Sequence, residues 1–264
     1  MTKSLSRAVP AATLGLLIAA GALRGQILET ETARLPRRGG LSAGGNFEYQ
    51  VSAEGHESAI PFAFEYGLAD RLELLVEPVV RTRIRPHVGP QATGLGDIEV
   101  TLNYLAHRET SRSPAFALAG EVKLPTARDS LIGTGKTDFA GYLIVSKRFG
   151  QLDTHANLGY TVVGHPAGSS LQNIFNFAVA VELPFGKEAR NTLFGEVLAN
   201  TASSSTPEGA GSPGTVVPEA AGGEIVGTVG VTRLLSSAFK LSFGVSVDNN
   251  GAVLFRPGFV IRLH

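Results

Sequence analysis

The sequence predicts an all-β protein, a transmembrane antiparallel up-and-down β-barrel of about twelve strands. Three observations predict it. From Gly94 to Gly164 the residues alternate in character: Ile98, Val100, Leu102 and Tyr104 interleave with Asp97, Glu99, Thr101 and Asn103. Side chains of a strand point to opposite faces in turn, so one face is apolar and the other polar. The alternation recurs in segment after segment, with turn residues between and no helical periodicity. That repetition marks a membrane barrel, apolar face to lipid and polar face to lumen. Finally, past the N-terminus no apolar run is long enough for a spanning helix, and in lipid only helices and closed barrels satisfy every backbone group.

In chain order, residues 1–22 read as a signal peptide. Lys3 and Arg7 precede an apolar run, Ala8–Leu23, that contains Pro10 and ends near Ala20-Gly21-Ala22, small residues suited to cleavage. The run is shorter than the roughly 20 residues a spanning helix needs. Residues 23–38 form a polar, loosely structured periplasmic lead-in, and residues 39–264 form the barrel.

Strand 1 (40–51) turns Phe47, Tyr49 and Val51 outward and Glu48 inward. Strand 2 (58–66) shows Ile60, Phe62, Phe64 and Tyr66 to lipid. Strand 3 (72–83) carries Glu73 and Glu77 inward, with a bulge expected at Pro78 because proline cannot donate to a ladder. Strands 4 to 7 fill the alternating stretch. Strand 8 (173–183) turns Phe175, Phe177, Val179 and Val181 outward. Strand 9 (192–201) is followed by a long Ser/Pro/Gly/Ala-rich loop over 202–223 and strand 10 (224–234). Strand 11 (239–247) exposes Phe239, Leu241, Phe243 and Val245. Asp248-Asn249-Asn250-Gly251 then predicts a tight hairpin, the Asn-Gly pair favouring type I′ geometry. Strand 12 ends the chain. Connections after even-numbered strands are the shorter set, as in bacterial outer-membrane barrels. A soluble periplasmic β protein is the competing fold; it would bury Phe175, Phe177, Phe239 and Phe243 in a core.

Composition narrows the function. The 264 residues carry 23 basic and 23 acidic side chains and no cysteine. Disulfides and thiol chemistry are excluded, and no basic stripe with interleaved aromatics indicates a nucleic-acid partner. Mean hydropathy is only +0.13, as a barrel with half its strand residues polar requires.

Several pieces taken in order resemble an outer-membrane barrel family named for the MetA pathway of phenol degradation. They are LETETA (Leu28–Ala33), EYGLADRLELLVEP (Glu65–Pro78), GLGDIEVTLNY (Gly94–Tyr104), KLPTA (Lys123–Ala127), GTGKTDF (Gly133–Phe139), SKRFG (Ser146–Gly150) and HANLGY (His155–Tyr160). The resemblance implies location in the bacterial outer membrane and passage of small, often aromatic or apolar solutes. It supplies no catalytic or binding residues.

The motifs that point to other chemistry fall short. Gly133–Thr137, GTGKT, lacks the first glycine of a phosphate-binding loop, because Ser130 stands at its place, and no helix pattern follows. The six histidines, His56, His87, His107, His155, His165 and His264, are scattered and read as solvated loop residues. No nucleophile elbow is present. The chain reads as no enzyme, with no catalytic residue, metal or cofactor. Its candidate site is the set of inward charges: Glu65, Glu73, Glu77, Asp97, Glu99, Glu121, Lys123, Glu182, Glu196, Glu224, Lys240, Arg256 and Arg262, with Glu48, Arg81 and Arg83 in the same phase. They line either a charged channel that passes a small solute passively or a closed, ion-paired lumen with a structural or display role. The expected partners are outer-membrane lipid, the solute and, during biogenesis, the barrel-assembly machinery.

Overall fold

Alternating side chains commit a segment to the extended backbone, and a face that is apolar over its whole length needs either a core or lipid. Here it meets lipid. The computed structural model describes residues 29–166, 171–201 and 223–263; the predicted signal peptide, residues 1–22, most of the 202–223 loop and His264 lie outside them. Among the described residues no helix is long and apolar enough to cross a membrane, so the crossing elements are strands.

Twelve strands form one closed antiparallel sheet. They are β1 (Leu41–Asn46, continued past Phe47 by Glu48–Val51), β2 (Gly55–Ala69), β3 (Leu72–Pro86), β4 (Ala92–Gly94, continued by Ile98–His107), β5 (Ala115–Leu124) and β6 (Asp138–Phe149). The second half adds β7 (Leu152–Val162), β8 (Ile174–Phe185), β9 (Asn191–Asn200), β10 (Glu224–Ser236), β11 (Phe239–Asp248) and β12 (Val253–Arg262). Each strand pairs with its neighbours in sequence. Closure is made by β1 against β12, with Ser42 opposite Arg262 and Val51 opposite Val253. A closed sheet has no edge to satisfy, which is the condition for sitting in lipid.

The outward face is apolar and exposed: Phe175 is 57% exposed, Phe177 49% and Phe243 46%. A soluble core would hide these rings, so the competing soluble fold is set aside. The turns at one end are short, as at 70–71, 150–151 and 237–238, and the loops at the other end include the long 125–137 segment. These are called the turn end and the loop end.

Three expectations are corrected. The bulge in β3 lies beyond Pro78: Pro61 is opposite Val79 and Ile60 opposite Arg81, leaving Val80 as the extra residue. One extra residue reverses the phase. Thr82 and Ile84 therefore face the lumen, and Arg81 and Arg83, expected inside, face out. The 248–251 hairpin is not type I′. Only Gly251 has positive φ, and the Asp248 carboxylate accepts from the Asn250 and Ala252 N–H groups, each at 2.8 Å, an Asx-type turn. Finally, the segment before β1 is not a loose lead-in. Thr30, Glu31, Thr32 and Ala33 are buried inside the barrel.

Candidate functional site

The lumen wall alternates with the lipid face, and its side chains decide what fits inside. On β5 the inward residues are Ala115, Ala117 and Ala119, all buried, between outward Phe116 and Leu118. Three methyl groups in a row leave space, and residues 29–36 occupy it. Ala33 packs against these alanines with Leu105 and Ile144, and Leu35 joins the same cluster.

A chain threaded through a barrel must find partners for its own backbone. The wall supplies them. Glu196 on β9 accepts from the Thr30 N–H at 2.6 Å and the Glu29 N–H at 3.2 Å, and the Thr30 hydroxyl also reaches it. Ser146 on β6 accepts from the Ala33 N–H at 2.9 Å. The Asn157 amide on β7 brackets Glu31, accepting from its N–H and donating to its carbonyl. Arg34 bridges Asp153 at 2.6 Å and Glu109 at 2.7 Å near the turn end. At the other tip Glu29 is ion-paired to Arg256 on β12, which also lies 3.3 Å from Glu48. The segment is thus a plug fastened at both ends and between.

One arrangement looks catalytic and calls for a separate reading. The Ser146 hydroxyl lies 2.8 Å from His155 Nδ1, and His155 Nε2 lies 3.1 Å from Glu182. The composition is that of a serine, base and carboxylate relay. Ser146 is 0% exposed, however, and is covered by the Ala33 N–H it binds. Beside the plug its oxygen is covered: Ser146 holds the plug at Ala33, and His155 and Glu182 hold Ser146 from behind. His155, read from sequence as a solvated loop residue, is a buried lumen residue 2% exposed.

Above the plug, toward the loop end, a cavity of about 330 Å³ opens inside the barrel. All twelve strands contribute to its wall. Among the expected charges, Glu77, Asp97, Glu99, Glu121, Lys123, Glu224 and Arg256 line it. Glu65 and Glu73 are buried lower down, where the Ser42 hydroxyl and the Asn103 amide donate to them at 3.4 and 3.2 Å. Glu196 and Glu182 serve the plug and its latch. Lys240 is half-buried and Arg262 is exposed at the turn end, and neither lines the cavity. Counted over the described lining residues, eleven carboxylates face two basic groups, Lys123 and Arg256. Both bases are engaged: Lys123 is paired with Asp138 and lies 3.7 Å from Asp97. Among the described residues no cluster of three or more His, Asp or Glu is arranged to hold a metal ion. The GTGKT stretch belongs to the 125–137 loop, whose Ser130, Ile132, Gly133 and Thr134 line the cavity mouth, and it runs into strand β6 rather than a helix.

Sequence reading missed the plug, the Ser146–His155 latch and the loop contribution. A signal for the first was present: small residues at consecutive inward positions of β5 imply an occupant.

The barrel can be compared with known proteins. An outer-membrane channel from Pseudomonas putida F1 is similar in fold, with a TM-score of 0.61 and 13% identity over 87% of this chain and 97% of that one. The NanC porin gives a TM-score of 0.58 at 10% identity, covering 84% of this chain and 100% of that one. The KdgM porin gives 0.54 at 11% identity, covering 84% and 99%. No curated protein matches the chain in sequence. The fold is that of a bacterial outer-membrane barrel, and that membrane is where the protein resides. The model of one family, described as "Putative MetA-pathway of phenol degradation", matches residues 40–248, nearly the whole barrel, and the chain belongs to that family.

Proposed function

We propose that the protein is a passive outer-membrane channel for a small solute, exported under the direction of residues 1–22 and narrowed from the periplasmic side by its own residues 29–36. The supporting observation is the cavity above the plug. A barrel with a purely structural role has no need of a 330 Å³ space walled by all twelve strands. The family description favours a small aromatic solute. The surplus of lumen carboxylates acts on charge: anions meet repulsion, and neutral and cationic solutes do not. No energy coupling is required, because side chains at the constriction set size and charge preference.

The filled turn-end half favours a second reading, a closed barrel whose ion pairs stiffen the wall. Solute flux into liposomes separates the two. Full-length barrel is compared with a variant lacking residues 29–36, for a small sugar, benzoate and phenol. Flux of sugar and phenol above empty liposomes, with benzoate slowest and every flux raised several-fold in the deletion variant, is the expected result. No flux from folded full-length barrel and from the deletion variant alike identifies a closed structural barrel.

A further inference from the structure

The acidic cavity contains one carboxylate pair that the protein leaves unanswered. Glu77 on β3 and Glu99 on β4 stand directly opposite each other on the inward face. Like charges at opposed positions repel. Glu77 is 4% exposed, and its Oε2 has no hydrogen-bond partner; Glu99 Oε2 has none either. Leaving a buried carboxylate oxygen without a donor is costly. Glu121, on the next strand, accepts from the Thr101 and Tyr142 hydroxyls at 3.3 and 3.4 Å. Of the two bases on the cavity wall, Lys123 stands opposite Glu99 on β5 but is ion-paired with Asp138, and Arg256 is paired with Glu29 and Glu48.

Toward the loop end β3 adds apolar side chains to a wall that also carries Thr82 and Glu57. Val79 follows Glu77 on the same face, and Ile84 continues it after the bulge. Ile132 of the 125–137 loop lines the same cavity, beside Gly94 of β4, and that loop is fixed in place. Ala127 N–H donates to Asp97 at 2.9 Å, and the Thr126 hydroxyl donates to the Gly96 carbonyl at 2.8 Å. Two glycines permit the close approach: a Cβ at Gly96 would stand 2.6 Å from Val79 Cβ, and one at Gly133 2.8 Å from Ala127 Cβ. The site therefore has an anionic floor and an apolar wall at its side. Its 330 Å³ lies at the small end of ligand pockets, which run about 300–1,000 Å³.

We propose that this cavity binds a small primary ammonium compound with a compact apolar body, of the arylalkylamine class. The ammonium donates to Glu77, Glu99 and Glu121, forming charge-assisted hydrogen bonds and relieving the opposed charges. The ring packs against Val79, Ile84 and Ile132. The inference rests on the channel reading only in that the cavity must be reachable from outside.

The test is calorimetric titration of the full-length barrel, folded in detergent, with 2-phenylethylamine. The comparison ligands are 2-phenylethanol, phenylacetate, methylammonium and calcium chloride. The amine is expected to bind at least about tenfold more tightly than the alcohol or methylammonium, with no binding of phenylacetate. Glu77→Gln should weaken the amine by about tenfold and leave the alcohol unchanged. Glu99→Gln is the second variant, and gel mobility with and without heating confirms that each is folded. Equal binding of amine and alcohol, calcium or methylammonium binding as tightly as the amine, or folded glutamine variants with unaltered affinity would overturn the inference. Liposome flux on the same preparations keeps the two readings apart. Sugar flux without amine binding removes this site and leaves the channel; amine binding without sugar flux does the reverse.

Discussion

The two halves of the lumen use the same residue types to opposite ends. In the turn-end half the inward acids have partners: Glu196 receives backbone donors from the plug, Asp153 holds Arg34, and Glu73 receives the Asn103 amide. In the loop-end half Glu77 and Glu99 face each other, each with one oxygen that meets no donor. Pairing makes a buried charge structural, and leaving it unpaired makes it available. The two readings of the inward charges, a wet channel and an ion-paired filler, each describe one half of the barrel. Arg256 stands at the boundary, joining the plug tip at Glu29 to the wall at Glu48.

That boundary is where the contrast breaks most easily. Arg256→Ala leaves Glu29 and Glu48 buried without their cation, a loss of about 3–5 kcal/mol by analogy with broken buried pairs. Urea unfolding of the barrel in lipid vesicles measures it, and an effect below about 1 kcal/mol would mean that water already screens the pair. Next in size is the outer face. Val179 is exposed to lipid midway along β8, and Val179→Arg there should cost about 2–4 kcal/mol in the same assay. Phe185→Arg, at the strand's turn end, should cost about 0–1 kcal/mol, because depth sets the penalty.

The lipid face was legible because it depends only on period 2, a local property. Phe175, Phe177 and Val179 were placed correctly from β8 alone, and so were Leu241 and Phe243 from β11. Phase was lost where one residue altered it. Pro78 marks a bulge in β3, but its place at Val80 is set by pairing with Ile60 and Pro61 on β2, and that is what turns Arg81 and Arg83 from lumen to exterior. The lumen was legible as a set of charges but not as a set of contacts. The Arg256–Glu29 pair joins residues 227 positions apart, and the Thr30–Glu196 bond joins residues 166 apart. No local pattern reports such distances. Ser146 and His155 looked ordinary on their own strands; the plug gives them their role.

Smaller effects sharpen the account of how the plug is held. Ser146→Ala removes the acceptor of the Ala33 N–H and one neighbour of His155. A buried donor left unsatisfied costs about 1–3 kcal/mol. Hydrogen exchange at the Ala33 amide should accelerate, while amides in β10 and β11, far from the latch, keep their protection. Uniform acceleration across the barrel would instead make Ser146 part of the global fold.

The smallest expected effect concerns acidity at the turn-end clasp, where Arg34 meets Glu109 and Asp153. Glu109 lies in the turn after β4. Partial burial raises its carboxyl, but the Arg148 N–H with the Arg34 and Lys147 side chains outweighs that and holds it at about 2, against a usual 4.5. A carboxyl lowered by folding contributes its stability above the usual value and loses it as pH falls through the folded one. The clasp on Arg34 should therefore be constant from pH 8 to pH 5 and weaken only from about 4.5 toward 2. A fluorescent label at residue 36 reports release of the plug's turn-end portion. In Glu109→Gln the release should be greater than wild type at neutral pH and show less change on acidification, because the charge that titrates is gone. Identical acid profiles for the two proteins would assign the hold on Arg34 to Asp153 alone.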